Sequence, residues 1–380
     1  MWCLGLSVLI AGCGASGGIP SARGHAVVLR GESPGRVSSF APTRLLTPAS
    51  GLDASSSFLA VAGENNGTSV LESLSLRTGL STARLVELPE GGVSPVLGSG
   101  TTLWLTRSSG PRDRNNTAGG DPESDSCTGS VAHLALGSGG ETTVRTFARS
   151  TLVSDAVPSP DEHEVAFLVA PCARSYFNEH VLLADLNTGQ SWTIGAGARV
   201  CHRISAPSWN ARGTSLIFTY APSDPAVRVG KRDGYGLCSD PIEGEIVILS
   251  ATHPADLASA QIVKPARGCS YLSAVFDPEG IAATEACEHG ALHEFSFPGD
   301  YDGDAYVVQL SAQGRPLRRL AIKREPNPAI VARNPHGGPV LVTEELGENI
   351  RPYFNWIWTF NGRALKLVRH STENITAIPG

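Results

Sequence analysis

The sequence predicts an all-β chain in which one four-stranded unit recurs. Three observations carry this expectation. Short apolar runs rich in β-branched residues and Leu, such as Val181-Leu182-Leu183 and Ile246-Val247-Ile248, alternate closely with turn residues. A common pattern returns along the chain, and self-similarity at this spacing marks repeat architectures. No apolar period of 3.6 residues persists over two turns, so no long amphipathic helix is expected. Composition agrees. The 380 residues are 41% apolar and 17% charged, with a net charge of −6. Such a chain has enough apolar surface to build a core and is not disordered. It lacks the Glu, Lys and Ala excess of a coiled coil. Neither a basic patch nor a high pI points to nucleic acid.

The first element is not part of the repeat. Residues 1–18 read MWCLGLSVLIAGCGASGG. The apolar run from Leu4 to Ala11 ends in small residues before Cys13, the pattern of an export signal. Ile10-Ala11-Gly12-Cys13 resembles the lipobox of bacterial lipoproteins. That resemblance implies that residues 1–12 are a signal peptide and that Cys13 carries a lipid. Contact with the membrane would then run through the anchor alone. Gly14 after the cysteine implies an outer-membrane lipoprotein facing the periplasm or the cell surface. An ordinary secretory signal is the alternative. Residues 13–24 are rich in Gly and Ser and read as a flexible tether.

The repeat follows. Residues 159–169 read SPDEHEVAFLV and lead to VLLADLNTGQSWTI at 181–194. Residues 207–220 read PSWNARGTSLIFTY and lead to EIVILSA at 245–251. Residues 274–286 read AVFDPEGIAATEA and lead to AYVVQLSAQGRPLRRLAI at 305–322. In each, a polar turn joins two strands, and a second turn such as Asp185-Leu186-Asn187-Thr188-Gly189 closes the unit. These motifs resemble the WD-repeat-like blades of TolB-type β-propellers. The resemblance implies a six-bladed β-propeller, with blades at about 43–90, 92–149, 152–195, 202–265, 269–323 and 327–370. A seventh blade would need residues 25–60 to hold another unit. The single domain is expected over 25–370, with 371–380 as a tail. The strand HAVVLR at His25–Arg30 is spare, and it is expected to complete the last blade.

In such a blade the connections alternate between two faces. The long second-to-third connections, at 108–129, 171–180, 221–243 and 287–304, then share one face with the links between blades. Cys127, Cys172, Cys201, Cys238, Cys269 and Cys287 all fall on that face. An even number of cysteines in an exported chain suggests disulfides, whose pairing spacing alone does not decide. Links within this face are preferred, such as Cys201–Cys238 and Cys269–Cys287. The absence of any close C-x-x-C pair argues against zinc. Long loops in a compact domain are commonly functional.

The stretch from Glu285 to Asp304 holds most of the chemistry. Asp300, Asp302 and Asp304 alternate around Gly303, as oxygen ligands for calcium do. An EF-hand's closing Glu is missing, and a plain acidic turn explains the pattern as well. No other cofactor is expected. His289 and His293 share this loop, and Arg228, Lys231 and Arg232 share loop 221–243. These five are candidates for a binding face. Mixed charges around the basic cluster also suit a solvated loop. No helix is expected after either G-x-S-x-G string, at Gly14–Gly18 or Gly31–Gly35, so no nucleophile elbow and no serine hydrolase is indicated, and no catalytic residue is assigned. The leading expectation is a monomeric, non-enzymatic module that binds an envelope protein or peptide. The alternative is a glycan-binding or metal-assisted glycan-active propeller of lyase or hydrolase type, drawing on His163, His180, His202, His289 and His293.

Overall fold

The structure is a computed structural model. It describes residues 27–28, 43–48, 56–63, 68–89, 93–98, 101–109, 128–147, 151–171, 179–194, 202–222, 244–252, 260–288, 303–322, 329–333, 340–345, 355–371 and 375–378. All described strands fall into six antiparallel sheets, and the sheets form the ring of a six-bladed β-propeller.

Blade one holds β2 (Arg44–Leu45), β3 (Ser57–Gly63), β4 (Ser69–Ser75) and β5 (Ser81–Leu88). Blade two holds β6 (Val93–Leu97), β7 (Thr102–Ser109), β8 (Thr128–Ala135) and β9 (Glu141–Thr146). Blade three holds β10 (Thr151–Pro158), β11 (Glu164–Pro171), β12 (His180–Asp185) and β13 (Gln190–Ile194). In blade four, β14 (His202–Ile204) and β15 (Ser208–Trp209) share the inner position beside β16 (Ser215–Pro222). Strands β17 (Glu245–Ser250) and β18 (Gln261–Val263) complete it. Blade five holds β19 (Cys269–Asp277), β20 (Gly280–Glu288), β21 (Gly303–Leu310) and β22 (Pro316–Ala321). Blade six holds β23 (Ala329–Ala332), β24 (Val340–Glu345), β25 (Asn355–Phe360) and β26 (Leu365–Ser371).

Two expectations are corrected. Residues 371–380 are not simply a tail: β27 (Ile375–Ala377) pairs with β3 and supplies the inner strand of blade one. Without it, β3 would face the axis with an unpaired edge, which is costly for backbone groups. Ile375 and Ala377 are buried there. The spare strand also goes elsewhere. The described part of His25–Arg30, β1 (Val27–Val28), pairs with the outer strand of blade three, Val27 opposite Ser191. The closing position is already filled by β27, so β1 and β2 are edge strands rather than a seventh blade.

The core lies between blades. Leu59, Leu71 and Leu85 of blade one pack with Leu97, Leu103 and Leu105 of blade two. Similar apolar layers join the other neighbours, because each twisted sheet must bury both faces. Polar bonds set the spacing between these layers. Thr106 Oγ1 donates to the Ser154 carbonyl at 2.9 Å, and Thr219 Oγ1 donates to the Leu272 carbonyl at 3.1 Å. Both carbonyls sit where an inner strand slips register against its neighbour. A bulge lifts a carbonyl off the ladder, and the preceding blade satisfies it. Thr343 Oγ1 takes the same role by accepting from the Ala377 amide of β27 at 3.2 Å.

Turn chemistry closes one face tightly. Asp185 Oδ1 accepts from the amides of Asn187 and Thr188 at 2.8 and 3.0 Å. Asn210 Oδ1 accepts from Thr214 in the same manner. These side-chain turns let the strands reverse within a few residues. We call this the turn face and the opposite one the loop face.

Candidate functional site

Inner strands start at the loop face, second strands end there, and third strands start there. Cys269 opens β19 and Cys287 lies near the end of β20, directly opposite in register. Their sulfurs form a disulfide. This agrees with one of the two preferred pairings and ties the start of β19 to the end of β20, the strand from which the chemically dense loop leaves. Cys127, Cys172, Cys201 and Cys238 lie outside the described residues, as do Cys13, Arg228, Lys231, Arg232, His289, His293, Asp300 and Asp302.

A compact polar cluster surrounds the disulfide. Arg319, on the outer strand β22, points its Nε at Glu285 Oε2, 2.9 Å away. Its guanidinium lies over the Tyr306 ring, 3.6 Å from the ring centre. Its Nη2 also lies 2.7 Å from Cys287 Sγ. Glu285 is only 4% exposed, whereas the Arg319 side chain is 41% exposed. The cation therefore caps a buried acid and presents its outer side to solvent. Glu285 Oε1 also accepts from the Ala266 amide at 3.4 Å. Burial, with the Glu285 charge behind it, pushes the buried Tyr271 hydroxyl up to about 12. Tyr271 therefore stays neutral at physiological pH.

Asp304 is the one member of the predicted calcium set among the described residues. It is exposed, and its Oδ2 accepts from the Tyr306 hydroxyl at 2.8 Å. That hydrogen bond raises the Tyr306 hydroxyl above its ordinary value, with burial adding to it. Cys269, Cys287 and Glu285 form a group with metal-ligand spacing. In the disulfide the sulfurs carry no thiolate charge, so this set does not suit a metal ion.

The histidines named for lyase chemistry do not gather at one end. His163 lies exposed in the turn between β10 and β11, on the turn face beside Asp161. His180 and His202 open strands β12 and β14 on the loop face. The sequence reading missed Arg319 and Tyr306. Arg318-Arg319 interrupts an outer strand with two adjacent cations, and that irregularity was the only available signal.

No family model matches the chain, and no curated protein matches it. Solved structures share the fold. The β-propeller domain of the trilobed protease from Pyrococcus furiosus is 13% identical, with 72% of this chain and 69% of that one covered at a TM-score of 0.39. A prolyl endopeptidase is 12% identical over 88% of this chain and 44% of that chain, at a TM-score of 0.46. This chain thus spans less than half of that endopeptidase. An oligogalacturonate lyase from Vibrio parahaemolyticus is 11% identical over 82% of this chain and 74% of that chain, at a TM-score of 0.43. It is the chain's own six antiparallel sheets that make it a six-bladed β-propeller.

Proposed function

We propose that this protein is an exported propeller, lipid-anchored at Cys13, that binds an envelope protein or peptide on its loop face without catalysing a reaction. The TolB-type character of its blade motifs and its outer-membrane address belong to the same reading. The observation that carries the reading is the difference between the two faces. On the turn face, reversals such as those after Asp185 and Asn210 are short and capped by side chains. Opposite it, the strand ends carry the long connections 110–127, 172–179, 223–244 and 289–302. Only there does a disulfide among the described residues fasten strand ends together. A fastened pair of strands limits the freedom that binding would otherwise have to remove. Beside it, Arg319 and Asp304 offer opposite charges within one patch, which suits a polypeptide with both signs.

The test is cross-linking of the native lipidated protein in cells, followed by capture and mass spectrometry. One partner in near-stoichiometric yield, lost when 223–243 or 289–302 is shortened while the ring stays folded, supports the reading. Full capture by the trimmed variants, or recovery of no partner, refutes it. Radiolabelled palmitate incorporation, lost in Cys13→Ser, tests the anchor separately.

A further inference from the structure

We propose that the Cys269–Cys287 disulfide is a thiol–disulfide exchange site, at which a dithiol oxidoreductase forms a mixed disulfide with Cys287. The two cysteines lie directly opposite each other on β19 and β20 and are joined. The site requires nothing of the partner proposed for the loop face.

The two sulfurs differ in access. Cys269 is 5% exposed, whereas Cys287 is partly open. The contact of Arg319 with Cys287 Sγ lies at the solvent surface, and its contact with Cys269 Sγ is partly buried. An incoming thiolate therefore reaches Cys287, and Cys269 becomes the leaving group. Accessible disulfides are the ones that exchange.

Arg319 supplies what the leaving sulfur needs. Its Nη2 lies 2.7 Å from Cys287 Sγ and 3.6 Å from Cys269 Sγ. These distances differ by less than one sulfur–sulfur bond, about 2.0 Å, so the guanidinium stands beside the bond. An attacker coming along the bond axis is left a clear line past it. Glu285 takes the Nε donor at 2.9 Å, and Nη2 is left for the sulfurs. A charge-assisted N–H bond favours the thiolate, and a stabilised thiolate leaves faster. The Tyr306 ring, 3.6 Å from the guanidinium, fixes it in this position. A Glu285 oxygen lies within 4.8 Å of both sulfurs, and its charge opposes a thiolate. Pairing with Nε offsets that charge, while the hydrogen bond from Nη2 remains.

The exchange balances as a two-electron transfer. A thiolate of the dithiol attacks Cys287 Sγ, the disulfide breaks, and its electron pair goes to Cys269 Sγ beside Nη2. The second thiol of the reductant loses its proton and attacks the reductant's own sulfur in the mixed disulfide. That step releases Cys287 as a thiolate against Nη2. The reductant leaves as a disulfide, and the two protons of its thiols pass through water to the released sulfurs. An oxidised partner runs the same steps in reverse and restores the bridge.

The first test mixes the full-length oxidised protein with a thioredoxin-type reductant whose second active-site cysteine is serine, so that the mixed disulfide persists. Peptide mapping should place the adduct on Cys287, at least about tenfold over Cys269. No adduct on either residue of the folded protein, or one mainly on Cys269, overturns the proposal. The second test reads the role of Arg319 in Cys269→Ser, where Cys287 is free. The alkylation rate of Cys287 by iodoacetamide at pH 7, divided by its rate at pH 10, cancels differences in access, because thiols are ionised at the higher pH. Adding Arg319→Gln should lower that ratio at least about fivefold. An unchanged or higher ratio overturns the assignment of Arg319 as the group that stabilises the thiolate.

Discussion

Blade two and blade five each bury a charge on the second strand, and the two charges have opposite signs. In blade two, Arg107 follows Thr106, and its Nη2 lies 2.7 Å from Glu141 Oε1 on the outer strand. In blade five, Glu285 follows Thr284 and pairs with Arg319 on the outer strand. In both, the second-strand member is the buried one, at 7% and 4% exposure, and the outer member is more open, at 24% and 41%. The position in the blade therefore sets burial, whatever the sign. The two pairs differ in what supports them. Glu141 also accepts from Thr43 Oγ1 at 2.6 Å, which ties blade two to the edge strand of blade one. The blade-five pair lies against a disulfide and the Tyr306 ring. Sign matters chemically as well. Acid can neutralise a stranded carboxylate, whereas no accessible pH neutralises a stranded guanidinium.

The largest expected effect tests that last point. Glu141→Leu leaves Arg107 buried with its carboxylate gone and should cost about 3–4 kcal/mol. Urea unfolding should give nearly the same loss at pH 5 and pH 8. A loss that vanishes at pH 5 would break the contrast between the blades. Next, Cys269→Ser should cost about 3 kcal/mol, since the bridged residues are 18 apart and the open chain regains loop entropy. A change below about 1 kcal/mol would mean that the ion pair and Tyr306 hold these strand ends without the bridge.

Arg319→Leu sharpens the comparison from the other side. It strands Glu285, which is buried, and should cost about 2 kcal/mol near neutrality. The loss should shrink as the pH falls, because the acid can take up a proton in the folded variant. A loss equal to that of Glu141→Leu at every pH would show that sign is irrelevant.

The smallest effect concerns Asp155, an acid on the inner strand of blade three. Burial pushes its carboxyl up to about 6. A folded-state value above the ordinary carboxylate range means stability is fully present below about pH 4 and falls as the pH rises to about 6. Asp155→Asn should therefore gain about 1 kcal/mol at pH 8 and little at pH 4. Parallel stability curves for the two proteins would show that its burial has no energetic weight.

Much of the ring was legible in the residues. The six blade ranges coincide with the observed sheets to within a few residues. Turn signals such as Asp185-Leu186-Asn187-Thr188-Gly189 act locally, and alternating apolar strands dictate which faces are buried. The Cys269–Cys287 pairing was among those preferred, because both residues fall on the same face of one blade. The site around it was harder to read. Glu285 and Arg319 are 34 positions apart in the chain. Only the pairing of β20 with β21, and of β21 with β22, brings them within reach.

By itself the sequence determined the fold class, the repeat, the blade boundaries and the turn chemistry, because each depends on interactions within a few residues or on a simple alternation. Only the tertiary structure decided how the ring closes, with β27 and not the first strand beside β3. It alone decided which Thr hydroxyl meets which bulged carbonyl, and which acid is buried under which arginine. The physical reason is that closure and charge pairing depend on where distant strand ends arrive in space. Many pairings satisfy the same local pattern, and the packing of all six blades selects one of them.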